Sequence, residues 1–151
     1  HHYIIRELKE LEMNNIDRFL YVQNRTHELV LEEIKNGKKV SHWMWYTFPQ
    51  IQGLGESDMA LFYAIDDIEE ARRYLNHSIL NMRIKELSNE LLKLKINDPI
   101  EIFGKLDSMK LKSSMTLFDY IEERSIFNDV LEKYYHGERD VLTLQILERK
   151  K

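Results

Sequence analysis

Residues 78–94 read Ser78-Ile79-Leu80-Asn81-Met82-Arg83-Ile84-Lys85-Glu86-Leu87-Ser88-Asn89-Glu90-Leu91-Leu92-Lys93-Leu94. Leu80, Ile84, Leu87, Leu91 and Leu94 recur at steps of four and three, which lines them up as one apolar stripe on an α-helix. The same period extends outward in both directions. Upstream, Phe19, Leu20, Val30 and Ile34 share a face, and Asn36-Gly37 supplies a stop. Downstream, Phe127, Val130, Leu131 and Tyr134 repeat the pattern before Gly137, and Val141, Leu144 and Leu147 step into a last helix. Helix starts are marked as well. Asp66 with Glu69 has the spacing of a capping box, and Ser57, Asp98, Asp107, Ser125 and Asp140 are further N-cap candidates. Pro99 follows Asp98 at a first helical position, where its missing N–H costs nothing. Strand-like alternation is scarce; the best stretch, Val40 to Thr47, reads equally well as a short helix. These features predict an all-α fold, a single compact domain of about seven or eight helices over residues 13–151. Residues 1–12 read as a tag remnant, His1-His2, followed by an N-terminal extension, with Met13 as a native start.

Composition narrows the function. Hydrophobic residues make up 43% of the chain, enough for a core, and charged residues 32%, enough for a solvated surface. Two prolines and five glycines are few for a β-rich protein with many turns. There is no cysteine, which excludes disulfides, a thiol nucleophile and thiolate zinc sites and fits a reducing, cytoplasmic setting. No apolar run reaches the length of a membrane span. The net charge is −4, and the short basic tail Arg149-Lys150-Lys151 is no phosphate-binding stripe, so nucleic acid is not an expected partner.

One segment stands apart. Residues 41–57 hold both tryptophans, Trp43 and Trp45, with Tyr46 and Phe48 beside them. With Ser41 as a cap, His42 and Trp45 fall on one face of a short helix that Pro49 ends. Trp43, Met44 and Phe48 are the expected core anchors, while His42, Trp45 and Tyr46 have the mix of flat faces and polar tips that walls a ligand site. Gly53-Leu54-Gly55 lacks the third glycine of a dinucleotide fingerprint and the lysine of a P-loop, and Glu56 and Asp58 would repel an anion. It reads as a plain turn.

Ser41-His42-Trp43-Met44-Trp45, Phe48-Pro49-Gln50 and Gly53-Leu54-Gly55 together resemble the signature of the domain of unknown function family 1810. The resemblance runs along nearly the whole chain. It takes in Arg18-Phe19, Gln23 and Gly37-Lys38-Lys39 upstream, then Tyr63-Ala64-Ile65, Glu70-Ala71, Tyr74-Leu75, His77 and Arg83. Further on it includes Ile102-Phe103-Gly104, Asp107, Lys110-Leu111, Thr116-Leu117-Phe118 and Asp140. Ser78 and Asn81 depart from it, standing where the family usually has proline and glycine. The resemblance implies an all-α fold and no established activity.

The polar residues on matching positions define the candidate chemistry. His42 and His77 are the candidate proton carriers, and Trp45, Gln50, Arg83 and Lys110 the candidate ligand-binding residues. The competing structural role for Arg83 is an ion pair with a carboxylate such as Asp107, and for His77 a helix cap. No metal motif and no cofactor motif is present, nor the Gly-x-Ser-x-Gly elbow of a serine hydrolase. Two functions remain open. One is binding of a small anionic or aromatic, nucleotide-like metabolite, with hydrolysis as the reaction class. The other is a non-enzymatic interaction module that uses the Trp-rich segment as its anchor. The acidic balance carries its own expectation: no salt-sensitive binding to duplex DNA at physiological ionic strength, checked by fluorescence anisotropy across a salt series.

Overall fold

Helix α1, Asp17–Lys35, begins with an arginine that has no access to water. Arg18 is 2% exposed, and its guanidinium spends its donors on one neighbourhood. Nη1 and Nη2 donate to the two carboxylate oxygens of Glu70 at 3.2 and 3.0 Å, Nε to the Phe62 carbonyl at 2.8 Å, and Nη2 to the Ala64 carbonyl at 2.8 Å. A further bond from Nη1 reaches the Asn15 carbonyl. Glu70 is equally buried and also accepts from the Asp66 backbone N–H at 3.0 Å. Buried charge is tolerated on these terms, paired and fully hydrogen-bonded. The pair ties the start of α1 to the chain between residues 62 and 70.

A computed structural model describes residues 15–151, so the tag remnant, the extension and Met13 lie outside the described residues. After α1 come α2 (Met44–Thr47), α3 (Asp58–Tyr63), α4 (Ile68–Asn76), α5 (Ser78–Lys93), α6 (Pro99–Ile121), α7 (Ile126–Tyr135) and α8 (Val141–Arg149). The described residues contain no strand, only an isolated parallel bridge between Ile51 and Ile65, and the fold is all-α. None of these helices is long and apolar enough to cross a membrane. Helix α5 packs against α1, α4 and α7, and α6 lies along α7. The stripe that announces α5 does bury: Leu80, Ile84, Leu87 and Leu91 are at most 1% exposed.

Most caps stand where the side chains allow them. Ser57, Asp98, Ser125 and Asp140 each accept a backbone N–H from the first turn that follows. Two expectations shift. The box at α4 is built one residue later, with Asp67 accepting from the Glu70 N–H at 2.8 Å, because Glu70 must face Arg18. Asp107 caps nothing; it lies inside α6. That helix is broken at Gly104, whose φ of 79° and ψ of 168° only glycine adopts readily, and the break re-aims the turns carrying Asp107 and Lys110. On α8 the buried face is Thr143, Ile146 and Leu147, whereas Val141 is 67% exposed.

The core is aromatic at its centre. Trp43, Phe48 and Phe103 contact one another with ring centroids 6.3–6.4 Å apart, and Phe19 packs edge-on against Tyr74 at 5.2 Å. Met44 is buried with them, as expected, but so is Tyr46, which packs on Tyr63 rather than facing a ligand.

Removing one partner of the Arg18–Glu70 pair strands the other charge. Glu70→Ala should lower stability by about 3–5 kcal/mol in urea unfolding at pH 7. A loss below about 1 kcal/mol would show that the pair behaves like a solvated surface contact.

Candidate functional site

The loop between α1 and α2 is held from one carboxylate. Glu33 Oε1, buried in the last turns of α1, accepts from the backbone N–H of Val40 (2.6 Å), the backbone N–H of Ser41 (2.9 Å) and Trp43 Nε1 (3.0 Å). Burial alone would raise its pKa. The hydrogen bonds from Ser41, Val40 and Trp43 outweigh that and bring the carboxyl down to about 2. Gln23, ten residues earlier on α1, donates Nε2 to the Tyr46 carbonyl at 2.8 Å and to Tyr74 Oη at 3.0 Å. The Lys39 backbone N–H donates to the Ile102 carbonyl at 2.8 Å, joining the loop to α6 just before the Gly104 break. Ser41 is therefore not the cap of α2, which begins at Met44; its N–H belongs to Glu33.

These anchors bring two lysines and two tryptophans around one carboxylate. Asp107 receives Lys39 Nζ at 2.8 Å on one oxygen and Lys110 Nζ at 3.1 Å on the other. Each ammonium also lies over an indole, Lys39 at 5.1 Å from the Trp43 ring centre and Lys110 at 4.3 Å from that of Trp45. Desolvation works against the Asp107 charge, but hydrogen bonds and the charges of both lysines hold its carboxyl below the usual range. The group opens on a cleft of about 340 Å³, with His42 and Met59 completing its wall. Two ammonium groups against one carboxylate leave the cleft with a net positive charge, set beside a half-buried indole.

The expected site residues divide. His42, Trp45 and Lys110 come together in the cleft. Gln50 lies next to it, lining a smaller pit that also touches Trp45. Arg83 does not line the cleft. Helix α5 turns it toward α1, where Nη2 donates to Asn24 Oδ1 at 2.7 Å, and Asp107 pairs with the lysines instead. His77 does not line it either; its Nδ1 accepts from the backbone N–H groups of Ile79 and Leu80 as the N-cap of α5. The sequence does not single out Lys39 and Asp107 as site residues. Both lie on family-matching positions, but nothing in their spacing of 68 residues announces a contact.

An all-α domain with a cationic, tryptophan-walled cleft is the class that this fold and site define. The chain belongs to the family described as "Protein of unknown function (DUF1810)", whose pattern matches residues 13–147. It is similar to the conserved hypothetical protein Rv1873 from Mycobacterium tuberculosis, whose crystal structure aligns with a TM-score of 0.87 at 40% identity, covering 89% of this chain and 97% of that one. Curated proteins provide no match.

Because the Glu33 pKa is lowered on folding, its contribution to stability is fully present above about 4.5, its ordinary value, and is lost as pH falls toward about 2. Glu33→Gln should therefore be less stable than the natural protein at pH 7, and the gap should narrow by roughly 2 kcal/mol at pH 3. Urea unfolding at the two pH values measures it; a gap independent of pH contradicts the role given to Glu33.

Proposed function

We propose that the cleft binds a small anion carrying a flat aromatic group, a nucleotide-like metabolite. One observation carries this reading. Lys39 and Lys110 converge on a single carboxylate beside the half-buried Trp45 ring, so cationic donors and a stacking surface share one concave site. An anion would take the ammonium hydrogens that Asp107 leaves free, and the ring would rest against the indole. Concavity also supports a small ligand over a partner protein. The anchor that an interaction module would need is mostly interior, with Trp43 only 2% exposed. Hydrolysis of such a ligand would fall to His42, the exposed imidazole at the cleft, since His77 is engaged as a cap.

Adenosine monophosphate (AMP) is a suitable probe. It should quench the fluorescence of the natural protein through Trp45, and Lys110→Ala should weaken it about tenfold, the scale of one charge-assisted hydrogen bond. Adenosine, without the phosphate, should bind the natural protein no better than AMP binds the variant. If neither AMP nor inosine monophosphate (IMP) perturbs the fluorescence, the nucleotide-like reading fails.

A further inference from the structure

Beside the cleft, Trp45 also lines a pit formed with Gln50, the Gly53–Gly55 loop, Ala60 and Tyr63. Two polar atoms of these residues, Gln50 Nε2 and Tyr63 Oη, are buried and have no hydrogen-bond partner. The residues are 6% and 1% exposed. A buried donor left unpaired costs roughly 1–3 kcal/mol, so two on one small space need an acceptor. Their positions are enforced. The Gln50 carbonyl accepts from the Ile65 N–H at 2.8 Å, and the Gln52 N–H donates to the Ile65 carbonyl at 2.9 Å, so the backbone cannot swing the amide away. Tyr63 is wedged among Phe19, Tyr46 and Phe62. Gly55 keeps the pit's wall thin: a Cβ there would lie 2.9 Å from the Ala60 Cβ and 3.3 Å from Trp45 Cη2.

The pit holds about 10 Å³, room for a single oxygen atom and not for a ring or a phosphate. Gln50 Nε2 can only donate, and burial pushes the Tyr63 phenol above its ordinary pKa, so the phenol keeps a proton to donate while its oxygen can also accept. We propose that this pit is a second subsite of the cleft, where Gln50 and Tyr63 donate to one uncharged carbonyl oxygen projecting from the ligand's ring. It selects keto over amino rings, because a carbonyl oxygen accepts from both groups, whereas an exocyclic amino group leaves Gln50 Nε2 set donor against donor. This assignment rests on the reading of the cleft as a nucleotide-like site.

IMP and AMP share ribose and phosphate. They differ at ring position 6, a carbonyl in IMP and an amino group in AMP, and at the adjoining N1, which carries a hydrogen only in IMP. The variants Tyr63→Phe and Gln50→Leu are therefore what assign a preference to the position 6 oxygen. Titrated by tryptophan fluorescence, the natural protein should bind IMP at least about tenfold more tightly than AMP, the discrimination expected of a site whose buried donors go unpaired with the wrong group. Tyr63→Phe, which retains the ring contacts, should cut that preference several-fold. Gln50→Leu, which removes the amide donor at similar volume, should do the same. Thermal melts establish that each variant is folded; should one fail to fold, the other variant and the comparison of the two nucleotides still decide. Equal affinity for IMP and AMP overturns the subsite and leaves the cleft standing. A keto preference unaltered in both variants also overturns it, since the pit would then hold a structural water only. Binding of neither nucleotide removes cleft and subsite together.

Discussion

A carboxylate buried near the end of a helix has to find donors, and Glu33 finds three on the segment that follows it. The N–H groups of Val40 and Ser41 and the indole of Trp43 all point to one oxygen. The indole N–H of Trp43, a residue only 2% exposed, would otherwise be unpaired in the interior. Satisfying the three donors together fixes the loop's path, and with it the positions of Lys39, His42 and Trp43 along it and of Trp45 in the short helix that follows. The depressed pKa of Glu33 is the electrostatic trace of the same arrangement. The cleft inherits its geometry from this anchor, since Lys39, His42, Trp43 and Trp45 all line it and all lie on or beside the segment that Glu33 holds.

Helix α1 thus carries one buried charge near each end, with opposite sign. Arg18 gathers residues 62–70 at one end and Glu33 gathers residues 40–43 at the other. Between them the Phe19, Tyr63, Tyr74 and Tyr46 rings fill the volume that the two ties enclose. Hydrophobic area drives this packing without direction, and the charges supply the register that area cannot. The aromatic segment is held to the core on one side by these contacts and opens on the other into a cationic cleft. The same residues serve structure and site, which is why the tryptophans divide as they do: Trp43 is interior with only its edge of the cleft, and Trp45 half-buried within it.

The helices were legible in the sequence because their signals are local. Period, stop residues and caps at Ser57, Asp98, Ser125 and Asp140 depend on neighbours a few positions away. The capping box at α4 forms one residue later than the local spacing suggests for the opposite reason: Glu70 answers to Arg18, 52 positions distant. Asp107 has the look of a cap because a carboxylate before a helical pattern usually is one, but the helix begins at Pro99, capped by Asp98, and Asp107 lies within it, three residues past the break at Gly104.

The site followed the same division. His42, Trp45, Gln50 and Lys110 could be picked out as residue types on matching family positions, and three of them meet in the cleft while Gln50 lines its neighbour. Lys39 and Asp107 could not be joined in advance, nor Arg83 excluded, because each depends on which way a helix is rotated when it packs. Rotation of α5 by its Leu80–Leu91 stripe sends Arg83 to Asn24, and the Gly104 break sends Asp107 to Lys39. By itself the sequence determined the all-α class, the helices and the aromatic segment, since those follow from periodicity and short-range hydrogen bonding. Only the tertiary structure decided which charges share a carboxylate and which donors stay unpaired, because those outcomes depend on packing between segments far apart in the chain.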